Sequence, residues 1–338
     1  MKSVAVISEK KTLSLGFVGV GWIGRNRMEV LLNSNKATAK AIAETSEQNA
    51  ADAVKLALGA IVTSPDEIFN DPHIDGVVIA TPSALHAEQS LMALKAGKAV
   101  FCQKPLGRTA AEVQAIIGAS QRADKLLSVD LSYRYTHAFS ELYEIISTGQ
   151  IGKVYAVNLV FHNAYGPDKE WFYDIKQAGG GCVMDLGVHM LDIAMCCLGF
   201  PEINSVKSAL YSKGNKISLG EAKVEDYAKA TIVTKDETVI GLDCSWNISA
   251  GKDAVIEAVF YGTEGGAAFR NSNGSFYEFT SERYKGTSVE TIYSGPDDWS
   301  GRAGVVWAGN VLKGKGFDSL TANEYLAVAK VIDRIYGR

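Results

Sequence analysis

The chain has 338 residues, 47% of them hydrophobic, and a net charge of −4, which favours two globular domains with sizeable cores. The slight acidic excess argues against a nucleic-acid partner, which would need a basic surface. No apolar run approaches the roughly 20 residues of a membrane span, and the charged residues after 4–7 do not fit a signal peptide. We therefore expect a cytoplasmic protein with no membrane partner.

Five cysteines at irregular spacing predict neither a disulfide framework nor a metal site. They are Cys102, Cys182, Cys196, Cys197 and Cys244. We expect them to be small buried side chains in a reducing compartment, and we expect no bound metal.

The first half of the chain alternates short apolar runs with helical segments, which predicts a doubly wound parallel sheet of the Rossmann type. The predicted strands are the run before Gly19 and residues 36–44, 60–63, 76–80, 99–102 and 127–131. The predicted helices are 23–33, 47–58, a segment starting at Ser64, one ending at Lys95, and 110–123. Residues 4–7 are predicted either to add a short strand or to belong to an arm.

A glycine motif follows the first buried strand. Gly19, Gly21 and Gly24 fit G-x-G-x-x-G, and the helix that begins at Trp22 and Ile23 directs its free N–H groups toward this turn. The first glycine permits the tight turn, the second admits a pyrophosphate, and the third allows close packing of helix on strand. The motif alone is weak, but with these flanks it predicts a dinucleotide site.

An acidic residue stands where such a site needs one. Glu44 ends the second predicted strand, 20 residues after Gly24, and no arginine follows it closely. A carboxylate at this position accepts hydrogen bonds from the adenosine ribose and repels a 2′-phosphate. The sequence therefore predicts NAD as the cofactor, with NADP less favoured.

Polar residues follow two further predicted strands. Thr81, Pro82 and His86 follow the strand at 76–80, and Gln103 and Lys104 follow the strand at 99–102. Ligands bind beyond the carboxyl ends of the strands in such sheets, so we expect these residues to converge with the glycine loop on one crevice.

The pattern changes after residue 134, where we place the boundary between a Rossmann domain, 1–134, and a substrate-binding and oligomerisation domain, 135–338. The predicted helices are 137–148, 183–198 and 320–336, and the predicted strands are 153–162, 227–234, 238–247, 255–261, 267–270 and 275–280. This order predicts an α+β domain with an open, mostly antiparallel sheet and helices on one face. The other face needs cover, so we expect a homodimer or homotetramer.

One helix of the second domain carries a candidate catalytic pair. Asp185 and His189 are spaced i, i+4 and share a face, and three glycines precede them. Asp192 is expected to orient the His189 ring. From the residues alone the pair is equally an ordinary polar helix face, and Lys104 equally a solvated loop residue.

Taken together, these motifs resemble the Gfo/Idh/MocA oxidoreductase family, over about residues 15–200. The matching residues are Gly19–Gly24, Ala80-Thr81-Pro82 with His86, Val100–Leu106, and Gly179-Gly180-Gly181 with Asp185, Gly187, His189 and Asp192. The later strands match in pattern only.

The resemblance implies residue roles. Lys104 matches a lysine that contacts both nicotinamide and substrate, His189 the usual general acid or base, and Asp185 the acid that orients the reacting hydroxyl. Arg134 falls near a position that reaches the cofactor. Gln103 departs from the family, which usually has glutamate there. We expect the missing charge to favour the neutral form of Lys104.

The implied activity is hydride transfer between a nicotinamide cofactor and a secondary alcohol of a sugar, inositol or related polyol. The loop 163–177, with Trp171 and Tyr173, is expected to select the substrate, and its lack of a basic cluster disfavours a phosphorylated one. Two alternatives stay open: an NAD-dependent glycoside hydrolase that oxidises its substrate transiently, and a non-catalytic NAD(P)-sensing regulator. Retention of Lys104, Asp185 and His189 together argues against the regulator.

Overall fold

The computed structural model describes residues 12–338, so the expectation for residues 4–7 lies outside the described residues. The first half folds around a parallel sheet of six strands in the order β3-β2-β1-β4-β5-β6, which is the Rossmann order. The strands are β1 Leu13–Val18, β2 Ala37–Ala43, β3 Ile61–Val62, β4 Gly76–Ile79, β5 Ala99–Cys102 and β6 Leu127–Val129. The predicted parallel sheet is confirmed.

Helices connect these strands, and three of the five start at a capping side chain. They are α1 Trp22–Asn33, α2 Glu47–Leu56, α3 Pro65–Asn70, α4 Ser83–Lys95 and α5 Ala110–Ala123. Ser64 and Glu67 form a reciprocal capping box at α3, and the Thr109 side chain accepts the Glu112 N–H at α5. These local signals explain why the helix starts could be read from the sequence.

The second half forms an open sheet of nine strands in the order β15-β14-β13-β12-β7-β11-β10-β8-β9. The strands are β7 Val154–Asn163, β8 Ile203–Ser212, β9 Asn215–Ile217, β10 Tyr227–Thr234, β11 Val239–Ser245, β12 Ala254–Gly262, β13 Gly266–Asn271, β14 Glu278–Lys285 and β15 Ser288–Pro296. Neighbouring strands are antiparallel except β7 and β11, which run parallel. The predicted mostly antiparallel sheet is therefore confirmed.

Helices cover one face of this sheet. The helical elements are 3₁₀ turns at Ser132–Tyr135 and Glu170–Tyr173, α6 His137–Ser147, α7 Ile175–Ala178, a π turn at Val183–Gly187, α8 Val188–Cys197, α9 Arg302–Leu312 and α10 Ser319–Tyr336. Along β10 and β11 alternate side chains are buried, and the opposite sheet face is open within residues 12–338. The segment Ile175–Cys197 has the length and apolar composition of a membrane-crossing helix, but 83% of its apolar 18-residue stretch is buried inside the protein, as in a core helix.

The helix predicted at 183–198 begins differently from a regular α-helix. Its first turn is a π turn, in which the Val188 N–H reaches the Val183 carbonyl five residues back, and α8 continues from there. Such turns are frequent at functional sites. This one carries Asp185.

Helix α9, which the sequence analysis did not predict, returns to the first sheet. Trp307 lies against Phe101, with ring centroids 5.7 Å apart. A Cβ on Gly76 would lie 2.9 Å from the Trp307 ring, so the indole occupies the space that a side chain at Gly76 would need. The domain boundary at residue 134 stays a prediction. Helix α9 comes after that boundary in the sequence but packs on elements that precede it.

The strand predicted at 275–280 is shifted. Asn273 and Gly274 have positive φ angles, and the Asn271 side chain donates to the Ser275 carbonyl, so this polar segment forms a turn. β14 therefore begins only at Glu278, and β15 follows where no strand was predicted.

Candidate active site

A cavity of about 960 Å³ lies beyond the carboxyl ends of β1, β2, β4 and β5 and extends along the second domain. Most of the predicted site residues line it. They are Gly19, Gly21, Trp22, Ile23, Glu44, Thr81, Pro82, His86, Gln103, Lys104, Trp171, Asp185 and His189. Within residues 12–338, Gly24 and Arg134 do not line the cavity.

The glycine loop leaves room where a pyrophosphate needs it. A Cβ on Gly19 would lie 2.7 Å from the Ala80 carbonyl and one on Gly24 would lie 2.2 Å from the Gly19 oxygen, whereas a Cβ on Gly21 would meet nothing within 4 Å. In the described structure α1 has neither a side-chain cap nor an acidic residue in its first turn. Its N–H groups and positive dipole end therefore suit a bound diphosphate.

Glu44 is fixed beside the glycine loop by backbone donors. Its Oε2 accepts the Val20 N–H at 2.8 Å, and its Oε1 accepts the N–H groups of Thr45 and Ser46 at 2.9 and 3.0 Å. The carboxylate thus ties the glycine loop to the end of β2, at the position expected to meet a ribose.

His86 and Gln103 contact protein groups behind the cavity surface. The two ring nitrogens of His86 lie 2.7 and 2.8 Å from the carbonyls of Pro105 and Thr81, so the ring joins the segments that follow β5 and β4. The Gln103 side-chain amide donates to Asp130. The partner of the Gln103 side chain among the described residues is thus Asp130, and the expected effect of Gln103 on Lys104 stays a prediction.

Lys104 and Asp185 form the polar centre of the site. Lys104 Nζ lies 2.5 Å from Asp185 Oδ1 and 2.7 Å from the Asp185 carbonyl oxygen. The other carboxylate oxygen, Oδ2, accepts the Trp246 indole N–H at 3.0 Å. Both partners remain partly exposed to the cavity. An ammonium and a carboxylate are therefore presented side by side to whatever binds there.

His189 lies beside this pair, against Tyr133. The two rings meet edge to face with centroids 5.0 Å apart, and the buried Nδ1 of His189 has no hydrogen-bond partner among residues 12–338. Burial, followed by the positive charges of Lys104 and Arg27, holds the pKa of His189 well below its usual value. The imidazole is consequently neutral at neutral pH and able to accept a proton.

One ion pair involves two residues with predicted roles, Asp192 and Arg134. Asp192 accepts two hydrogen bonds from Arg134, at 2.5 and 2.6 Å, and Arg134 also donates to Glu324 at 2.5 Å. Among the described residues Asp192 is therefore held by Arg134 and not by His189, and Arg134 does not line the cavity, so its contact with the cofactor stays a prediction. A buried carboxylate needs a counter-ion, and a bidentate arginine satisfies it best.

Aromatic side chains form two further walls that the sequence analysis largely missed. Trp171 stacks on Phe172 with ring centroids 3.8 Å apart. In the second group the Trp299 indole donates to the Phe276 carbonyl. Phe172, Tyr133, Phe161, Phe276 and Trp299 all line the cavity. No local motif marks Phe276 and Trp299, because they lie in the strand-rich half of the chain, where the sequence shows only an alternation of apolar and polar residues.

Of the two loop aromatics predicted to select the substrate, only Trp171 lines the cavity. The Tyr173 hydroxyl donates to the Pro167 carbonyl at 3.0 Å, and its ring packs on Trp246. Tyr173 therefore stabilises the loop 163–177 through contacts with the protein and does not face the cavity.

Family models match both halves of the chain. The model described as "Oxidoreductase family, NAD-binding Rossmann fold" matches residues 13–131, and the "GFO/IDH/MocA C-terminal domain" matches residues 139–268. The chain belongs to the Gfo/Idh/MocA family. The predicted NAD-binding Rossmann domain and the oxidoreductase class are thereby confirmed at the level of the family.

The individual relatives have low sequence identity to this chain. A 1,5-anhydro-D-fructose reductase of Ensifer adhaerens is 30% identical over 214 residues, 62% of this chain and 62% of the relative. The chain thus spans a little under two thirds of that relative's length. A levoglucosan dehydrogenase of Pseudarthrobacter phenanthrenivorans is 27% identical over 317 residues, 85% of this chain and 81% of the relative.

A solved structure of levoglucosan dehydrogenase in complex with NADH superposes with a TM-score of 0.81 at 24% identity. The match covers 96% of each chain. At this identity the likeness shows the fold alone, and it shows it over nearly the whole length of both chains.

Proposed function

We propose that this protein is an NAD-dependent dehydrogenase that oxidises a secondary alcohol of a sugar, inositol or related polyol, or reduces the matching ketone. One observation carries the proposal: a single cavity joins the glycine loop and Glu44 to Lys104, Asp185 and His189. Relatives named as a sugar reductase and a levoglucosan dehydrogenase support the substrate class.

Bound NAD would supply the hydride acceptor. The glycine loop and the α1 N-terminus would hold its diphosphate and Glu44 its ribose, while Thr81, Pro82 and His86 shape the loops beside it. The free N–H groups of α1 and the open space at Gly21 support this assignment.

The remaining groups would handle the hydroxyl proton. His189, neutral because burial lowers its pKa, accepts the proton of the reacting hydroxyl. The Lys104 ammonium stabilises the negative charge that develops on the same oxygen. Asp185 holds Lys104 in place and accepts a hydrogen bond from a substrate hydroxyl. In the reverse direction His189 returns the proton.

The substrate that this cavity favours is an uncharged sugar. Trp171 and Phe172 offer flat apolar surfaces suited to a pyranose ring. The cations near the proposed substrate end of the cavity already have acidic partners. Lys104 pairs with Asp185, Lys169 with Asp168, and Arg27 with Asp130. A phosphate group would therefore have to compete for each of them.

We further propose that the protein is cytoplasmic and assembles through the open face of the second sheet. On three adjacent strands Ala156 lies opposite both Val239 and Tyr261, and the last two are 43% and 38% exposed. Apolar side chains on the uncovered face of a sheet favour burial against a second copy.

The test is a panel of levoglucosan, myo-inositol and methyl β-D-glucoside with NAD or NADP, and 1,5-anhydro-D-fructose with NADH, followed by nicotinamide absorbance. Net NAD reduction with at least one polyol supports the proposal. Glycoside cleavage without net reduction would instead favour the hydrolase. NAD binding with neither reaction would favour the regulator.

A further inference from the structure

Trp246 contacts the proposed catalytic carboxylate directly. Its indole Nε1 donates to Asp185 Oδ2 at 3.0 Å, and the side chain is 3% exposed. Trp246 is not among the described residues that line the cavity. Its hydrogen bond therefore acts on the proposed reaction through Asp185.

The two oxygens of Asp185 have different donors. Oδ1 accepts from the Lys104 ammonium and Oδ2 from the Trp246 indole. An indole N–H only donates and does not titrate in the working pH range. Together the two donors fix the rotation of the carboxylate, so that one oxygen stays on Lys104.

Trp246 is itself held by both backbone and packing. It follows β11 directly, and its backbone N–H donates to the Asp226 carbonyl at 2.7 Å. Its ring meets Phe172 edge-on with centroids 6.2 Å apart and Tyr173 with centroids 5.8 Å apart.

The loop that carries those aromatics is seated on the same segment. A Cβ on Gly166 would lie 2.4 Å from the Tyr173 hydroxyl and 2.7 Å from the Asn247 side-chain nitrogen, so chain and loop approach closely there. Phe172, which stacks on Trp171, and the carboxylate of Asp185 thus both contact one indole.

We propose that Trp246 is a positioning residue. It orients Asp185 toward Lys104 and couples that carboxylate to the aromatic segment 170–173. This rests on the proposed function, in which Asp185 orients the reacting hydroxyl. Loss of the indole N–H frees the carboxylate to rotate and releases Lys104 from a fixed partner.

The test replaces Trp246 with phenylalanine, which keeps a ring but removes the donor. Loss of a hydrogen bond to a charged group should lower kcat/KM for the best panel sugar by roughly 10- to 100-fold. The Kd of NAD should not change. Trp307→Phe is the matched control, because the buried Trp307 Nε1 has no partner in the described residues and its loss removes no hydrogen bond.

A double-mutant cycle with Asp185→Asn separates positioning from general destabilisation. If Trp246 acts through Asp185, Trp246→Phe should lower kcat/KM little further in the Asp185→Asn background. Equal losses in the two tryptophan variants, or losses that multiply in the double variant, would overturn the proposal.

The same cycle measured by urea unfolding needs no substrate. Coupling between positions 185 and 246 is expected there too, and additive effects would overturn the proposed contact. A wild-type protein that oxidises no panel sugar would count against the proposed function while this cycle still decides on Trp246. If Trp246→Phe does not fold, the indole N–H resonances of the Asp185→Asn variant decide: one should shift, and no shift would refute the contact.

Discussion

The Lys104 ammonium and the Asp185 carboxylate lie 2.5 Å apart, although 81 residues separate them in the chain. Lys104 follows β5 of the parallel sheet, and Asp185 belongs to the π turn of the second half. Partly exposed ion pairs add little stability, so the value of this pair lies in where it places charge. It joins the proposed cofactor end of the cavity to the proposed substrate end.

Gln103 has a stabilising role next to this pair. The buried Asp130 carboxylate accepts from the Gln103 amide, from Arg27 Nε at 2.6 Å and from Ser132 Oγ at 2.8 Å. Gln103→Glu would bring two carboxylates together and remove a donor. We expect unfolding to become easier by about 1–3 kcal/mol, measured with urea.

The matched rescue for Gln103→Glu is Asp130→Asn, which restores one amide and one carboxylate at this contact. We expect the double variant to recover part of the lost free energy of unfolding. A Gln103→Glu variant as stable as the wild type would show that the contact with Asp130 does not matter.

The acid limb of alcohol oxidation should reflect His189. Oxidation needs the neutral imidazole, and burial together with Lys104 and Arg27 lowers the pKa of His189 well below 6.5. Lowering the pH from about 8 to about 6.5 should therefore leave His189 neutral and kcat/KM nearly unchanged, with the fall setting in only below about 6.5. A pH profile of kcat/KM at saturating NAD measures this. An acid limb centred at or above about 6.5 would contradict the assignment.

The parts of this molecule that local chemistry dictates were predictable from the sequence. The glycine motif at Gly19, Gly21 and Gly24 indicates a turn that few other residues can make. Ser64 followed by Pro65 indicates a helix start. The π turn at 183–187 carries no such signal, because a regular helix explains the same residues equally well. Helix α9 depends on Trp307 filling space beside Gly76, a contact across the chain that no local pattern reveals.

The positions of site residues that directly follow a strand could be predicted from the sequence. The partners of side chains that pair with residues far away in the chain could not. Lys104 and Glu44 follow from strand ends alone. Asp192 stands three residues after His189, but its partner Arg134 lies 58 positions away in sequence. Trp246 shows the same limit, since its indole reaches Asp185 across 61 positions. Long-range pairing of charged and aromatic groups decides these roles.

NAD should bind more tightly than NADP. Three backbone N–H groups hold the Glu44 carboxylate in place, so it cannot easily swing away from a 2′-phosphate. Calorimetric titration with both cofactors checks the preference. Glu44→Gln should narrow it by reducing the repulsion, whereas Glu47→Gln, at the start of α2, should not. Equal or tighter NADP binding by the wild type would refute the prediction.

Assembly should depend on the open face of the second sheet. Val239→Asp places a charge between two copies of the chain if they pack there, so it should convert the oligomer to a monomer in light scattering. Leu58→Asp makes the same kind of change at a side chain that is 91% exposed beside the parallel sheet, and should leave the mass unchanged. A wild-type protein that is monomeric at micromolar concentration would refute the proposed assembly.

The most direct test of the chemistry replaces His189 with alanine. Proton transfer in the transition state is lost while the glycine loop and Glu44 are untouched. We therefore expect kcat to fall by about 10²-fold or more with the Kd of NAD unchanged. His73→Ala, at an exposed histidine before β4, is the matched control and should behave as the wild type.

The other two residues should give different patterns from that of His189→Ala. Asp185→Asn should raise KM as well as lower kcat, because the carboxylate positions both Lys104 and the substrate hydroxyl. Lys104→Ala should weaken cofactor and substrate binding together, since the ammonium lies where the two are expected to meet. Single-turnover hydride transfer at saturating NAD separates these cases from slow product release. Near-wild-type transfer in His189→Ala would mean that His189 only packs against Tyr133 and that another group, such as Lys104, moves the proton.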